Sequence, residues 1–272
     1  MPPAPLSTEL PAPLPHGLLA SLARDRKILL FLDYDGTISE ITPAFAAAPP
    51  APGAQAVLAA LAARRERVSI VIVSGRTIDE VRRLLGVERN LQFAGVHGLE
   101  TMDADGNRGL AFDTTQCAPD LDRIRGWLRA NVEGRAGFAI EDKGVAIALH
   151  YRVADPVEAD AVRTRFEAFV AREAPHLKIR RGKMVAEAIP QAASKDLAVR
   201  FFRARAAEPA TPIYFGDDAT DEDAFFALRD DGVTVLADGE NRPSWAKYRV
   251  AGPSGVVEAL AEVASELGPI PG

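Results

Sequence analysis

Apolar runs of strand length alternate with stretches of helical spacing in the first hundred residues. Three mainly apolar runs occupy residues 28–32, 68–73 and 91–94. Runs of this kind are typical of strands whose two faces are both buried. Between them, residues 53–65 are rich in Ala and Leu, and residues 77–85 open with Thr77 three positions before a glutamate, the pattern of a helix capping box. This β-α-β-α-β series predicts an α/β fold with a doubly wound parallel sheet.

The periodicity changes after residue 100. The pair Asp105-Gly106 lies between two short strand-like runs and predicts a hairpin. Residues 112–187 then show the pattern of a helix, two strands, a second helix and two further strands. We therefore expect an inserted α+β domain of α-β-β-α-β-β type across these residues. The parallel pattern resumes after it, which predicts a core made of residues 16–111 and 188–272.

Composition and charge narrow the class of protein. The chain has 272 residues, of which 47% are hydrophobic, with a net charge of -6 and one cysteine, Cys117. The charge argues against a nucleic-acid partner, no apolar run has the length of a membrane span, and a single cysteine excludes an internal disulfide. Residues 1–15 are Pro-rich, so we expect a disordered tail. They lack the pattern of a secretion signal, so we expect a cytoplasmic protein. No dedicated interface is evident in the sequence, so we expect a monomer.

Polar side chains follow the predicted parallel strands where each strand ends. They are Asp33, Asp35, Ser74, Lys195 at a helix start, Asp217 and Asp218. The carboxyl ends of parallel strands meet at one edge of the sheet, where ligands bind. Crowded carboxylates repel each other unless a proton or a cation relieves them, which suggests a hard metal ion such as Mg2+. A carboxylate, a hydroxyl and a lysine beside such an ion suit phosphoryl transfer. The first two aspartates, followed by Gly36, also fit an ordinary polar turn after a strand, so that stretch alone leaves both interpretations open.

Four motifs in a fixed order carry a family resemblance. They are Asp33-Tyr34-Asp35-Gly36-Thr37, Ser74-Gly75-Arg76, Lys195 and Gly216-Asp217-Asp218-Ala219-Thr220-Asp221. With them the chain resembles the haloacid dehalogenase-like phosphatase superfamily. Further segments make it similar to the trehalose-6-phosphate phosphatases within that superfamily: Gly95-Val96-His97-Gly98, Glu141-Asp142-Lys143-Gly144, His150-Tyr151-Arg152 and Gly182-Lys183-Met184-Val185-Ala186-Glu187. The resemblance runs from about residue 27 onward and implies a Rossmann-like core with the inserted domain as a C2B-like cap.

The resemblance implies catalytic roles for four residues. Asp33 would be the nucleophile that forms an aspartyl-phosphate. Asp35 would protonate the leaving oxygen and then activate the hydrolytic water. Ser74 and Lys195 would hold the phosphoryl group. The implied ligands of Mg2+ are Asp33, the backbone carbonyl of Asp35 and Asp217, with Asp218 either a further ligand or directly beside the ligands.

The resemblance also implies a substrate and the residues that bind it. The residues expected to contact substrate are Arg76, Gly95, His97, Gly98, Glu141, Lys143 and Glu187. The implied reaction is hydrolysis of trehalose 6-phosphate to trehalose and phosphate, the last step of trehalose biosynthesis, with the synthase activity on a separate chain. The alternatives are a phosphatase for a sucrose-, mannosyl- or glucosyl-derived phosphate and a non-catalytic regulator that binds a sugar phosphate. Glu141 and Lys143 also fit a simple cross-strand surface pair.

Overall fold

The structure, a computed structural model, describes residues 7–40, 48–87, 89–240 and 242–268. The strands are β1 Ala12–Pro13, β2 Ile28–Asp33, β3 Val68–Val73, β4 Leu91–Gly95, β5 Glu100–Met102, β6 Arg108–Leu110, β7 Ala139–Asp142, β8 Ile147–His150, β9 Leu177–Gly182, β10 Val185–Pro190, β11 Thr211–Gly216, β12 Val233–Ala237 and β13 Tyr248–Val250. The helices are α1 Leu18–Asp25, α2 Ala54–Ala62, α3 Ile78–Leu85, α4 Ala118–Asn131, α5 Pro156–Glu173, α6 Lys195–Arg205, α7 Glu222–Ala227 and α8 Gly252–Glu266. Within the described ranges, no helix combines the length and the apolar character needed to cross a membrane.

The chain divides into two compact units, Met1–Ala111 with Ser194–Gly272 and Phe112–Ala193. The sequence placed the second domain boundary after residue 187. That position lies inside β10, which pairs with β9 from Val185 to Pro190. Because a paired strand keeps its hydrogen bonds within one sheet, the whole of β10 stays in the second unit. The assignment of the two units as catalytic core and substrate cap stays a prediction.

The first unit is built on a mainly parallel sheet. Its described residues form nine strands in the order β1-β13-β12-β11-β2-β3-β4-β5-β6. In this spatial order, each of the first seven strands, which end with β4, pairs in parallel with its neighbour. The last two strands, β5 and β6, are antiparallel additions at one edge. The central strand β2 lies between β3 and β11, so the order of connections reverses beside it, and such a switch point is where α/β sheets bind ligands. The predicted α/β fold is confirmed.

The apolar character of β2 follows from helices on both faces of the sheet. All six residues of the strand are buried. Leu30 and Leu32 pack in a cluster with side chains of α2, α3 and α8, whereas Leu29 and Phe31 pack in a second cluster with side chains of α6 and α7. A strand covered in this way cannot alternate apolar and polar residues, and its first polar side chain appears only at its end.

The prediction of a disordered tail is wrong for residues 7–15, and residues 1–6 lie outside the described ranges. The strand β1 pairs in parallel with β13 at the edge of the sheet. Ala12 and Leu14 donate their N–H groups to Lys247 and Arg249 at 3.1 and 3.0 Å. Pro13 stands between these donors, at the position that owes no hydrogen bond to the neighbouring strand. Proline is tolerated on edge strands for this reason, so a Pro-rich composition did not exclude pairing here.

The second unit is a four-stranded antiparallel sheet with α4 and α5. The strand order is β7-β8-β10-β9. Side chains of both helices, among them Leu128 and Phe166, join Ile147 and Leu149 of β8 in one buried cluster. The element order α4-β7-β8-α5-β9-β10 confirms the predicted α-β-β-α-β-β insertion.

Candidate active site

The strand β2 brings Asp33 to the carboxyl edge of the parallel sheet. In the register of the sheet, Asp33 lies beside Val73 of β3, and Leu32 lies beside Phe215 of β11. The segments that begin at Ser74 and at the end of β11 therefore lie on either side of Asp33. Asp33 is 4% exposed, so its carboxylate has little contact with water.

Lys195 is the cation of this buried cluster. Its Nζ lies 2.9 Å from Oδ1 of Asp33 and 2.7 Å from Oδ1 of Asp221. The residue opens α6 and is 3% exposed, and both a helix N-terminus and burial disfavour a positive charge. Burial lowers the pKa of Lys195, but the carboxylates of Asp221 and Asp33 outweigh burial and raise that pKa above its ordinary value. The lysine is therefore held as an ammonium between two carboxylates.

Asp221 is the organiser of the turn after β11. Besides Lys195, its carboxylate accepts a hydrogen bond from the Tyr214 hydroxyl at 2.8 Å. It also accepts the backbone N–H groups of Asp217 and Asp218, each at 3.2 Å. Burial raises the pKa of Asp221 to about 6, against the opposing effect of Lys195. With two oxygens serving four donors, Asp221 shapes the turn and holds the lysine.

Asp217 has a carboxylate that is only partly satisfied by hydrogen bonds. One carboxylate oxygen from each of Asp33, Asp217 and Asp221 lies within 4.8 Å of the others, an arrangement that fits a metal ion. Oδ1 of Asp217 is buried and has no hydrogen-bond partner among the described residues. Burial, followed by the charges of Asp221 and Asp218, raises the pKa of Asp217 to about 7. Clustered carboxylate oxygens with one orphaned atom fit a hard divalent cation, which takes oxygen ligands.

The carboxylate of Asp217 occupies the space that a side chain at Gly36 would fill. Gly36 has φ +80°, and a Cβ placed on it would lie 1.9 Å from Oδ2 of Asp217. Any larger residue at this position would displace that carboxylate. The glycine of the sequence motif therefore has a packing reason as well as a turn reason.

Asp218 differs from its neighbour in its surroundings. Its side chain is 54% exposed, and its Oδ1 lies 3.9 Å from Nζ of Lys195. The same oxygen accepts hydrogen bonds from the N–H and hydroxyl of Thr220 at 2.7 and 2.6 Å. Partial loss of water around the carboxyl raises its pKa, but Lys195 and the Thr220 hydrogen bonds outweigh that effect and lower the pKa to about 2. Its role as a metal ligand stays a prediction.

Asp35 forms a two-pronged ion pair with Arg76. Nε and Nη2 of Arg76 each donate to one carboxylate oxygen of Asp35, at 2.8 Å in both cases. The Arg76 side chain is 1% exposed, whereas that of Asp35 is 30% exposed. The sequence assigned Arg76 to substrate, and the structure places its guanidinium on the second aspartate of the first motif.

The turn that carries Ser74 is enclosed by the segment after β4. Ser74 is buried, and its Oγ accepts the N–H of Arg76 at 3.1 Å. A Cβ on Gly75 would lie 2.5 Å from the ring of His97. Gly95 and Gly98 also have packing reasons, since a Cβ on either would lie 2.8 Å from the nitrogen of Ile78 or 2.6 Å from the carbonyl oxygen of Ser194. Contacts of these glycines and of His97 with substrate stay predictions.

A second polar cluster lies on one face of the antiparallel sheet in the other unit. Ala148 of β8 lies directly opposite Glu141 of β7 and Glu187 of β10, so all three share a face. Nζ of Lys143 lies 2.9 Å from Oε1 of Glu187 and 4.0 Å from Oε1 of Glu141. The small side chain between the two glutamates leaves space for the lysine. The structure thus brings together the three residues that the sequence assigned to the sugar.

Two further residues belong to this polar face. Nε2 of His150 lies 2.8 Å from Oε2 of Glu141, and this hydrogen bond is the main cause that lowers the pKa of Glu141. Arg180 lies opposite Glu187 in the register of β9 and β10. Nη1 of Arg180 is buried without a hydrogen-bond partner among the described residues. His150 is two residues from Ala148 and therefore points to the same face of the sheet. Arg180 reaches that face because it lies opposite Glu187, and this could be predicted only with the strand register in hand.

A family model for trehalose-phosphatase matches residues 31–254 of the chain. The chain belongs to the trehalose-phosphatase family. It is 31% identical to a trehalose-phosphate phosphatase of Mycolicibacterium paratuberculosis, over 88% of this chain and 62% of that protein. It is 30% identical to a probable trehalose-phosphate phosphatase of Oryza sativa subsp. japonica, over 89% of this chain and 67% of that protein. The chain therefore spans about two thirds of the length of these curated relatives.

A solved structure supports the fold of this trehalose-phosphatase family member. The C-terminal domain of a trehalose-6-phosphate phosphatase from C. albicans aligns with a TM-score of 0.75 and 23% identity, covering 94% of this chain and 98% of that one. At this identity the likeness concerns the fold alone. It agrees with the parallel core and the inserted antiparallel sheet derived from the strand pairings.

Proposed function

We propose that this chain hydrolyses trehalose 6-phosphate to trehalose and phosphate, with Mg2+ as cofactor and an aspartyl-phosphate on Asp33. The observation that carries the proposal is the buried pair of Asp33 and Lys195, with the half-buried Asp217 beside it at the carboxyl edge of the sheet, in a chain that belongs to the trehalose-phosphatase family. A buried carboxylate next to an ammonium suits nucleophilic attack on phosphorus, because the ammonium offsets the charge of the incoming phosphoryl oxygens.

In the first half of the reaction, a carboxylate oxygen of Asp33 attacks phosphorus and the bond to the sugar oxygen breaks. Asp35 supplies the proton that the departing sugar oxygen needs. Lys195 and Ser74 hold the non-bridging phosphoryl oxygens. Trehalose leaves with that proton, and the phosphoryl group stays on Asp33.

In the second half, a water molecule attacks the phosphorus of the aspartyl-phosphate. Asp35, now a carboxylate, takes a proton from that water. The bond between phosphorus and the Asp33 oxygen breaks, phosphate leaves, and the Asp33 carboxylate is restored. One residue thus serves as acid and then as base, which returns the site to its starting protonation state.

The carboxylates of Asp33 and Asp217, with the backbone carbonyl of Asp35, would hold Mg2+. The bound ion supplies positive charge that stabilises the phosphoryl oxygens in the transition state. Asp221 is fully occupied by its four donors, so its part is to keep Lys195 and the turn of Asp217 in place.

The polar face of the second unit would select the sugar. Glu141, Lys143 and Glu187 offer charged donors and acceptors to hydroxyl groups, and charge-assisted hydrogen bonds discriminate strongly against substrates that lack the matching group. This set supports a polyhydroxylated substrate.

A sugar-phosphate panel tests the proposal. Phosphate release is measured from trehalose 6-phosphate, sucrose 6-phosphate, glucose 6-phosphate and an aryl phosphate, each with Mg2+ and with a chelator. We expect Mg2+-dependent turnover with the highest kcat/KM on trehalose 6-phosphate. A higher kcat/KM on another sugar phosphate would reassign the substrate, and absence of turnover on all of them would favour a regulator that binds without catalysis.

A further inference from the structure

The ion pair between Arg76 and Asp35 joins the first two motifs of the site. Two nitrogens of the guanidinium meet the two oxygens of the carboxylate at 2.8 Å each. Paired charge-assisted hydrogen bonds of this kind fix the plane of a carboxylate as well as its position. Asp35 comes after the last residue of β2 and before Gly36 with φ +80°, so the strand itself does not hold its side chain.

The accessibility of the two partners differs in a way that separates their roles. The Arg76 side chain is 1% exposed, so the guanidinium is covered by protein. The Asp35 side chain is 30% exposed and can meet an incoming molecule. A buried guanidinium that is hydrogen-bonded to an accessible carboxylate can influence a bound molecule through that carboxylate.

The backbone of Arg76 is held by a strained segment. Its carbonyl accepts the N–H of Val96 at 2.8 Å, and the carbonyl of Ser74 accepts the N–H of His97 at 2.9 Å. Val96 and His97 have φ +46° and +55°, in the left-handed region. That conformation costs free energy for a residue with a Cβ, most of all for β-branched valine, and persists only where surrounding contacts enforce it. The strained pair therefore ties down the turn from which Arg76 reaches Asp35.

We propose that Arg76 is a positioning residue that holds the Asp35 carboxylate, the form in which Asp35 acts as base, in the orientation needed to take the proton of the hydrolytic water. The proposal rests on the proposed function in one respect, the acid and base role of Asp35. It changes the assignment of Arg76, which the sequence placed among the substrate contacts. The arginine works by restricting the rotation of Asp35, so its removal lowers the rate of the chemical steps and leaves substrate affinity nearly intact.

A double-mutant cycle tests the proposal. Arg76→Gln, Asp35→Asn and the double variant are compared in kcat and KM on trehalose 6-phosphate and on an aryl phosphate. General acid and base catalysis is worth about 10²- to 10⁴-fold, and we expect Arg76→Gln alone to lose roughly 10- to 100-fold in kcat with KM changed less than about threefold. In the Asp35→Asn background the same change should alter kcat less than about twofold, because the group on which Arg76 acts is gone.

Two further variants separate positioning from folding. Arg76→Lys keeps the charge without the two-nitrogen fork, and we expect it to recover part of the kcat lost in Arg76→Gln. Arg83→Gln, on the exposed face of α3, should match the unchanged chain in kcat and KM. Thermal unfolding of each variant shows whether a loss of rate comes with loss of structure.

Independent losses in the cycle would overturn the proposal, because Arg76 would then not act through Asp35. A rise in KM of tenfold or more with kcat unchanged would also overturn it, because Arg76 would then be a direct substrate contact. Full loss of activity in Arg76→Lys with an intact fold would do the same. Turnover of the aryl phosphate without turnover of trehalose 6-phosphate would overturn the proposed substrate instead, and the cycle on the aryl phosphate would still decide the role of Arg76.

Discussion

At the scale of single residues, the site places one lysine, Lys195, among four aspartates, Asp33, Asp217, Asp218 and Asp221. Lys195 bridges Asp33 and Asp221, and Asp221 in turn fixes the turn that carries Asp217. The carboxylate that gains least from this network is Asp217, whose buried Oδ1 has no hydrogen-bond partner among the described residues. The oxygen of Asp217 without a partner is therefore the atom of this site that most needs a further positive charge.

Gly36→Ala tests that arrangement. We expect this variant to lose at least about tenfold of its Mg2+-dependent kcat/KM, because the added Cβ would lie 1.9 Å from Oδ2 of Asp217 and push the carboxylate away. Gly106→Ala is the matched control, since Gly106 has a similar φ of +88° with nothing within 4 Å of its Cβ. Both variants carry backbone strain of about 1 to 2 kcal/mol. Equal kinetics in the two variants would show that the contact with Asp217 does not matter.

At the scale of secondary structure, each catalytic candidate stands where an apolar strand ends or a helix begins. This could be predicted from sequence because β2, β3 and β11 are buried on both faces, so the change from apolar to polar marks the strand end. Neither the pairing of Arg76 with Asp35 nor the four hydrogen bonds to Asp221 could be predicted. Both depend on the directions of side chains that come from different strands. The edge strand β1 was missed because its pairing depends on Pro13, which has no N–H group, falling at the position that owes no hydrogen bond to β13.

The polar face of the antiparallel sheet gives a prediction of its own. Glu187→Gln should raise KM for trehalose 6-phosphate at least about tenfold and change kcat/KM for an aryl phosphate less than about threefold. The reason is that the variant loses a charge-assisted hydrogen bond to a sugar hydroxyl, which an aryl phosphate does not have. Glu158→Gln is a control within the same unit, since Glu158 lies on α5 and pairs with Arg135 near the surface. Parallel losses on both substrates would remove Glu187 from sugar recognition.

At the scale of the whole molecule, bound Mg2+ should stabilise the chain. A ligand that binds only the folded state adds about 2.7 kcal/mol at 100 times its Kd. For a chain of this size such a gain corresponds to roughly 5 °C or more in Tm. We expect this rise with MgCl2 and not with NaCl at equal ionic strength, and its loss in Asp217→Asn. An equal rise with both salts would indicate general screening of charge in place of a specific site.

Catalysis through Asp33 is tested by phosphate and trehalose release from trehalose 6-phosphate, measured for the unchanged chain and for Asp33→Asn, both in Mg2+ and both checked for an intact fold. We expect equal amounts of the two products from the unchanged chain and a loss of at least about 10⁴-fold in Asp33→Asn, because an amide cannot form the aspartyl-phosphate. Retained turnover in a folded Asp33→Asn variant, or no turnover by the unchanged chain, would contradict catalysis through Asp33.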